Sequence, residues 1–239
     1  MPTRNMLYAR EYVINDSIKI NIPTVDEVLN DEDNYNSIVA TVTATPYTMM
    51  VQLDDIGIDF SEIDEYDLFL LTSSSLAHMD TRIVFGDLDF SKFQVMRNTQ
   101  NNTIVLYDAE NDIVIDRSIY VQICDAIRKV NNLKKENKKP GNTEAKKYMI
   151  QRARKKMQRN RKKVVDSQLE QLIVALVNTK EFSYTYETVR DVTIYQFYES
   201  LHQIMWKVDY DNRMIGIYTG NISAKDIGQD YLSWLTRKK

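Results

Sequence analysis

Two histidines and one cysteine are all the imidazole and thiol this chain possesses: His78, His202 and Cys124. The histidines stand far apart, and Cys124 has no second cysteine with which to form a CxxC pair, so the spacing of a structural zinc site is missing. A single cysteine cannot form an internal disulfide, which fits a reducing compartment. The stretch SSSLAH at 73–78 sets serines near His78, as nucleophilic catalysis would need. No nucleophile elbow surrounds those serines, and a Ser-rich helix end is the plainer reading. Six scattered glycines form neither a phosphate-binding loop nor a dinucleotide fingerprint. No cofactor is expected.

Metal-dependent nucleases place an acid near a Glu-x-Lys pair, so that carboxylates hold the ion while Lys helps to orient water. Glu136 with Lys138 and Glu144 with Lys146 both satisfy that spacing. Both lie in or beside a Lys-rich stretch, where such a match arises freely, and neither follows an acidic turn on an expected strand. Solvated charge is therefore the favoured reading of both pairs. Asp209 and Asp211 diverge if their segment is helical, and the Asp-Asn step at 211–212 is expected to mark a bend or surface turn. No catalytic or metal-ligating residue is assigned.

The chain's densest chemistry is cationic: TEAKKYMIQRARKKMQRNRKK, residues 143–163. Wound as a helix, it sets Ala145, Met149, Ala153 and Met157 four apart in a narrow apolar stripe, with Tyr148 and Ile150 beside it. Cations cover the rest. Lys146, Lys147, Arg152, Lys155, Lys156, Arg159, Lys162 and Lys163 are the candidate residues for holding an acidic partner, protein or nucleic acid. A membrane-surface helix needs a broad face of large apolar residues, which this stripe lacks.

The whole chain carries a net charge of only −3. Residues 1–126 hold seven Lys and Arg against 22 Asp and Glu, a net −15, whereas residues 127–163 carry +14. That opposition favours docking of the basic helix on an acidic surface, either this chain's own N-terminal part or a neighbouring subunit's. Nucleic acid is the alternative, because clustered Lys and Arg release the counterions condensed on phosphates. Against it, Tyr148 is the one aromatic within the run, and no recognised nucleic-acid-binding motif surrounds it.

The elements that must position these residues follow from periodicity. The chain has 239 residues, 43% of them apolar, enough for a substantial core. Ile18, Ile20 and Ile22 alternate with polar residues as in a strand. Thr24 and Glu27 have the spacing of a capping box, predicting a helix from about residue 25 that Pro46 ends. Residues 47–60 read as a short helix or an extended segment broken at Gly57. Ile63, Tyr66, Phe69 and Leu70 predict a helix capped by Ser61 or Asp59. Short strands are predicted at 82–85, 93–97, 103–107 and 112–115, forming a small antiparallel meander. Helical period returns from Arg117, with Ser118 as the expected cap. It continues through the basic segment, through LEQLIVALVNT at 169–179 and through a long stripe from Tyr184 to Tyr218. A short helix is expected in KDIGQDYLSWL at 225–235.

The fold class expected is α+β, mostly helical, with a small central antiparallel β-meander between an acidic N-terminal helical part and a C-terminal helical part. Residues 1–133 form the acidic part, 134–142 (KKENKKPGN) the linker, and 143–239 the helical part beginning with the basic helix. The opening residues hold charge without an apolar run, so no secretory leader is expected. The apolar stretch at 68–77 is far short of the ~20 residues of a membrane span.

Four stretches resemble a family of uncharacterised proteins of tailed bacteriophages and prophages of Gram-positive bacteria: MMVQLDDIGIDFSEIDEYDLFLL, EAKKYMIQRARKK, the run from LEQLIVALVNT to HQIM, and YDNRMIGIYTGNISAKDIGQDYLSWL. The resemblance covers most of residues 10–235 and is strongest in GIYTGNI and LSWL. It implies an association with tail morphogenesis, hence a non-enzymatic structural or tail-assembly, chaperone-like protein. Such a protein works through contacts with other phage proteins or with itself. It would reside in the cytoplasm of the infected cell or enter the virion. The resemblance transfers no functional residue. Fifteen tyrosines and two tryptophans suit interfaces as well as cores.

Overall fold

Alternation at Ile18, Ile20 and Ile22 does build a strand, β2 (Lys19–Asn21), and all three side chains are buried. It pairs antiparallel with β1 (Glu11–Val13), with Tyr12 opposite Ile20. The structure is a computed structural model and describes residues 5–98, 102–160 and 166–235. After the hairpin come α1 (Val25–Asn30), α2 (Glu32–Thr43), α3 (Met50–Asp55), α4 (Glu65–Leu76) and α5 (Arg82–Phe85). Then follow β3 (Phe93–Arg97), β4 (Ile104–Asp108) and β5 (Ile113–Ile115). The remaining helices are α6 (Arg117–Val130), α7 (Thr143–Asn160), α8 (Gln168–Val177) and α9 (Ile194–Tyr218).

With 54% of the chain helical and a three-stranded antiparallel sheet in order β3-β4-β5, the fold is α+β and mostly helical. The capping box is present: Thr24 accepts from the Glu27 amide, and Glu27 accepts in return from the Thr24 amide. The helix it starts is short, because Asp31 leaves helical geometry (φ −148°, ψ 48°) and α2 begins afresh.

Local chemistry corrects other expectations. Residues 82–85 are helical rather than extended. Gly86 at φ 59° closes the turn, and Val84 and Phe85 are buried by it, so tertiary burial overrides the β-preference of Ile-Val-Phe. The cap of α4 is Asp64, since Asp59 is engaged by the Ser61 amide and hydroxyl. Asp116, not Ser118, caps α6 by accepting from the Ile119 amide. The long C-terminal helix starts at Ile194 behind a second capping box, Thr193 with Gln196. Val189 and Val192 are therefore buried from a 3₁₀ turn and a loop instead of lying on a helical stripe. No bend occurs at Asp211–Asn212, where α9 continues unbroken. The KDIGQDYLSWL stretch forms two 3₁₀ turns, Ala224–Asp226 and Gln229–Leu232, in place of one helix.

Tyr120 on α6 stacks on Phe69 of α4 at 4.6 Å, in a core that also holds the β2 isoleucines and Ile38 and Val42 of α2. Each such fully buried side chain is worth about 1.5–3 kcal/mol. The same cluster contains Leu169 and Ile173 of α8 and Ile194 and Phe197 of α9. Main chain joins them too: the Val25 amide donates to the Val192 carbonyl and the Ile194 amide to the Pro23 carbonyl, both at 2.8 Å. A second, smaller core lies under α3 and α4: Ala44, Met50, Val51, Leu53, Phe60 and Leu68.

Candidate functional site

The basic segment is helical because Lys, Arg, Met, Gln and Ala are good helix formers, and because Pro140-Gly141 frees the chain to turn just before it. Asn142 caps α7, its side chain accepting from the Ala145 amide at 2.7 Å. The apolar stripe then meets the second core, where Met149, Ile150, Ala153 and Met157 close over α3.

Two cations bracket that contact. Lys146 pairs with Asp59, and the Arg154 guanidinium reaches Asp54 and Asp55 at 2.6 Å each. Asp54 and Asp55 end α3, where the helix dipole disfavours negative charge, so Arg154 relieves an unfavourable placement. Lys146, followed by the Ser61 hydroxyl and amide, holds the Asp59 carboxyl down to about 2. The electrostatic match between basic helix and acidic N-terminal part is thus made within one chain and, among the described residues of α7, by these two cations alone.

Of the predicted set, Lys146 is half-buried in this joint, while Lys147, Arg152, Lys155, Lys156 and Arg159 are exposed. Lys162 and Lys163 lie outside the described residues. Arg154 was not among the predicted residues, although its spacing from Lys146 and Ile150 already sets it on the same helical face.

Between α3 and α7 runs an open groove of about 1100 Å³. Arg152, Lys155, Lys156 and Arg159 line one side, and Lys138 from the preceding segment joins them. Met50, Val51 and Met149 form the apolar floor, and Glu136 is the one acidic residue in the lining. None of the five cations forms an ion pair with another described residue. Two tyrosines stand at the groove: Tyr47, with the Lys138 ammonium 5.8 Å from its ring centre, and Tyr148, 65% exposed. Tyr47 is missed by sequence reasoning because nothing in its local pattern ties it to a helix a hundred residues on. The Thr45 hydroxyl fastens the groove's other edge by donating to the Glu136 carbonyl at 2.6 Å.

The other candidates are not brought together. His78 is exposed beyond the end of α4, and His202 sits on α9. The Ser73 and Ser75 hydroxyls donate back to the Leu70 and Thr72 carbonyls of their own helix. Cys124 is buried, its thiol pushed up by that burial and donating to the Val42 carbonyl. Glu144 and Lys146 diverge across the first turn of α7. Asp209 and Asp211 are neutralised separately by Arg213 and Lys207 on their own helix. Among the described residues no three His, Cys, Asp or Glu side chains gather as a metal site requires, and no helix is long and apolar enough to cross a membrane.

Residues 158–239 match the model of the YomV second domain, a phage-type domain. That stretch contains α8, α9 and the return segment that follows, and it begins inside the last turn of α7. No curated protein and no solved structure matches the chain.

Proposed function

We propose that this is a non-enzymatic, phage-type binding protein whose groove between α3 and α7 grips nucleic acid. The observation that carries the reading is the groove's unbalanced charge: five cations against Glu136, flanked by two tyrosines. An acidic docking site within the chain accounts for Lys146 and Arg154 but leaves the outward row unused. A row of fixed cations gains affinity by displacing the counterions of a phosphate backbone. Tyrosine rings beside it offer a stacking surface that any base can use. Docking on α3 orients the helix before the ligand arrives, which lowers the ordering cost of binding.

A second reading, a structural or tail-assembly role through contacts with other phage proteins, is favoured by the apolar face that α9 leaves open. In either case the protein would act in the cytoplasm of the infected cell, and the second reading extends to incorporation into the virion.

Fluorescence anisotropy with generic single-stranded and duplex oligonucleotides tests the first reading. With five contacts, log affinity should fall against log salt with a slope of about −3.5 for single strands and about −4.5 for duplex. Reversing charge at Arg152, Lys155, Lys156 and Arg159 should abolish binding while leaving the circular dichroism spectrum unchanged. No binding at about 50 mM salt would sink the reading. Degradation of the oligonucleotide in Mg²⁺ that stops with EDTA would replace it with a metal-dependent nuclease.

A further inference from the structure

Helix α9 leaves its core-packed start after Ile204 and runs on with one face open. The exposed positions on that run are Met205, Val208, Asp209, Asn212, Ile215 and Tyr218. Met205, Val208, Asn212 and Ile215 follow each other at spacings of three, four and three, the seam of a coiled coil rather than the wider stripe of a core helix. Met205 is 62% exposed, Ile215 60% and Tyr218 82%.

The chain's own C-terminal return does not cover this seam. It packs mainly on the face of α9 that carries Gln203, Trp206 and Arg213. The Gln203 amide donates to the Trp234 carbonyl at 2.9 Å and the Trp206 indole to the Ser233 carbonyl at 3.2 Å. The Arg213 guanidinium lies over both the Trp206 and Tyr231 rings, and Ile222 closes against Gly216.

We propose that this seam pairs with the same seam of a second copy of the chain, parallel and in register. Three observations select that occupant. Asn212 is the one polar residue in the seam, and a polar side chain buried opposite an apolar one loses its hydrogen bonds. In a parallel pair it faces the identical Asn212, which supplies both a donor and an acceptor and fixes the register. The carboxylates flanking the seam, Asp209 and Asp211, are already neutralised by Arg213 and Lys207, at 2.5 and 2.7 Å, so two identical faces meet without repulsion. The apolar side chains leave on the order of 500 Å² uncovered, the size of the largest patch on a typical monomer, which often marks an interaction site. Two such faces bury on the order of 1,000 Å², the lower bound of a specific interface.

Multi-angle light scattering of the full chain, and oxidative cross-linking of a Met205→Cys variant, test this. At about 100 µM the mass should be that of a dimer, and Val208→Glu with Ile215→Glu should raise the dissociation constant more than tenfold. Those positions are exposed, so the helical circular dichroism signal should not change. Met205→Cys should form a disulfide-linked dimer, with the buried Cys124 of the unsubstituted chain as the unreactive control. A monomer at that concentration overturns the proposal, as does a dimer indifferent to the double substitution. A dimer that fails to cross-link at 205 overturns the parallel register. None of these outcomes depends on nucleic acid, so failure here and failure of the groove reading are separable.

Discussion

Glu65, at the start of α4, receives two cations: Arg128 of α6 at 3.2 Å and Lys135 at 2.5 Å. Arg128 is the buried member, 8% exposed, and it also donates to the Thr43 carbonyl at 3.0 Å. Removing Glu65 leaves a guanidinium in the interior with one carbonyl and the distant Asp125 for company. Breaking a buried pair costs more than the pair was worth, because the orphaned charge stays desolvated. Glu65→Ala is therefore expected to cost about 3 kcal/mol in urea unfolding, and Lys135→Ala, which removes the exposed partner and leaves Glu65 paired with Arg128, less than about 1 kcal/mol. Equal losses would mean that Arg128 is not the residue in need. Asp59 makes the second case. Its carboxyl titrates at about 2 in the folded chain against an ordinary 3.8, so its contribution is complete above about pH 4 and is lost as pH falls toward 2. Lys146→Ala should move the Asp59 midpoint, followed by carboxyl carbon NMR, up toward 3.8. The Ser61 hydrogen bonds alone should hold it somewhat below that value. An unmoved midpoint would mean that Lys146 does not set the charge of Asp59.

At the scale of elements, α7 is held by its narrow stripe and the three ion pairs of Lys146 and Arg154, without a buried residue of its own. Such an element should open well below the free energy of global unfolding. Met149→Asp places a charge against Met50 and Leu53 and is expected to remove amide-exchange protection across 143–160 while the amides of α6 stay protected. Loss of both together would show that the second core unfolds with the first. The Ala-Met-Ala-Met stripe, the β-meander and the Thr24 capping box were legible because each is a local pattern with one strong physical solution. Residues 82–85 were not, since a tetrapeptide centred on β-branched Ile83 and Val84 became a helical turn through burial of Val84 and Phe85. Nor were the caps, where Asp59, Ser61 and Asp64 lie within six residues and Asp59 is engaged by Ser61 next to it and by Lys146 far along the chain. The groove was half legible. Its cations stood out as a charge run, whereas Tyr47 and Lys138 entered it only through the docking of α7.

For the molecule as a whole, the decisive contacts run between chain ends. Asp26 pairs with Arg190 at 2.6 Å, the Gln196 amide donates to the Leu7 carbonyl at 2.6 Å, and Thr24 bridges Thr193 in antiparallel fashion. Leu169, Ile173, Leu176, Phe182, Val189, Val192, Ile194 and Phe197 are buried in the same cluster as Ile18, Tyr35 and Val130. Residues 158–239, the stretch that matches the phage-type family, therefore bring eight side chains to a core whose other buried members lie before residue 131. A segment that buries its apolar face mainly against another part of the chain has too small a core of its own to offset the entropy of ordering. Expressed alone, 158–239 is expected to keep some helix in α9 but to unfold without a cooperative thermal transition. Adding the complementary fragment 1–157 should restore the cooperative transition and the near-ultraviolet signal of Trp206 and Trp234. A sharp, two-state melt of 158–239 by itself would show instead that its buried face is satisfied internally, and that its contacts with the N-terminal part join two finished units.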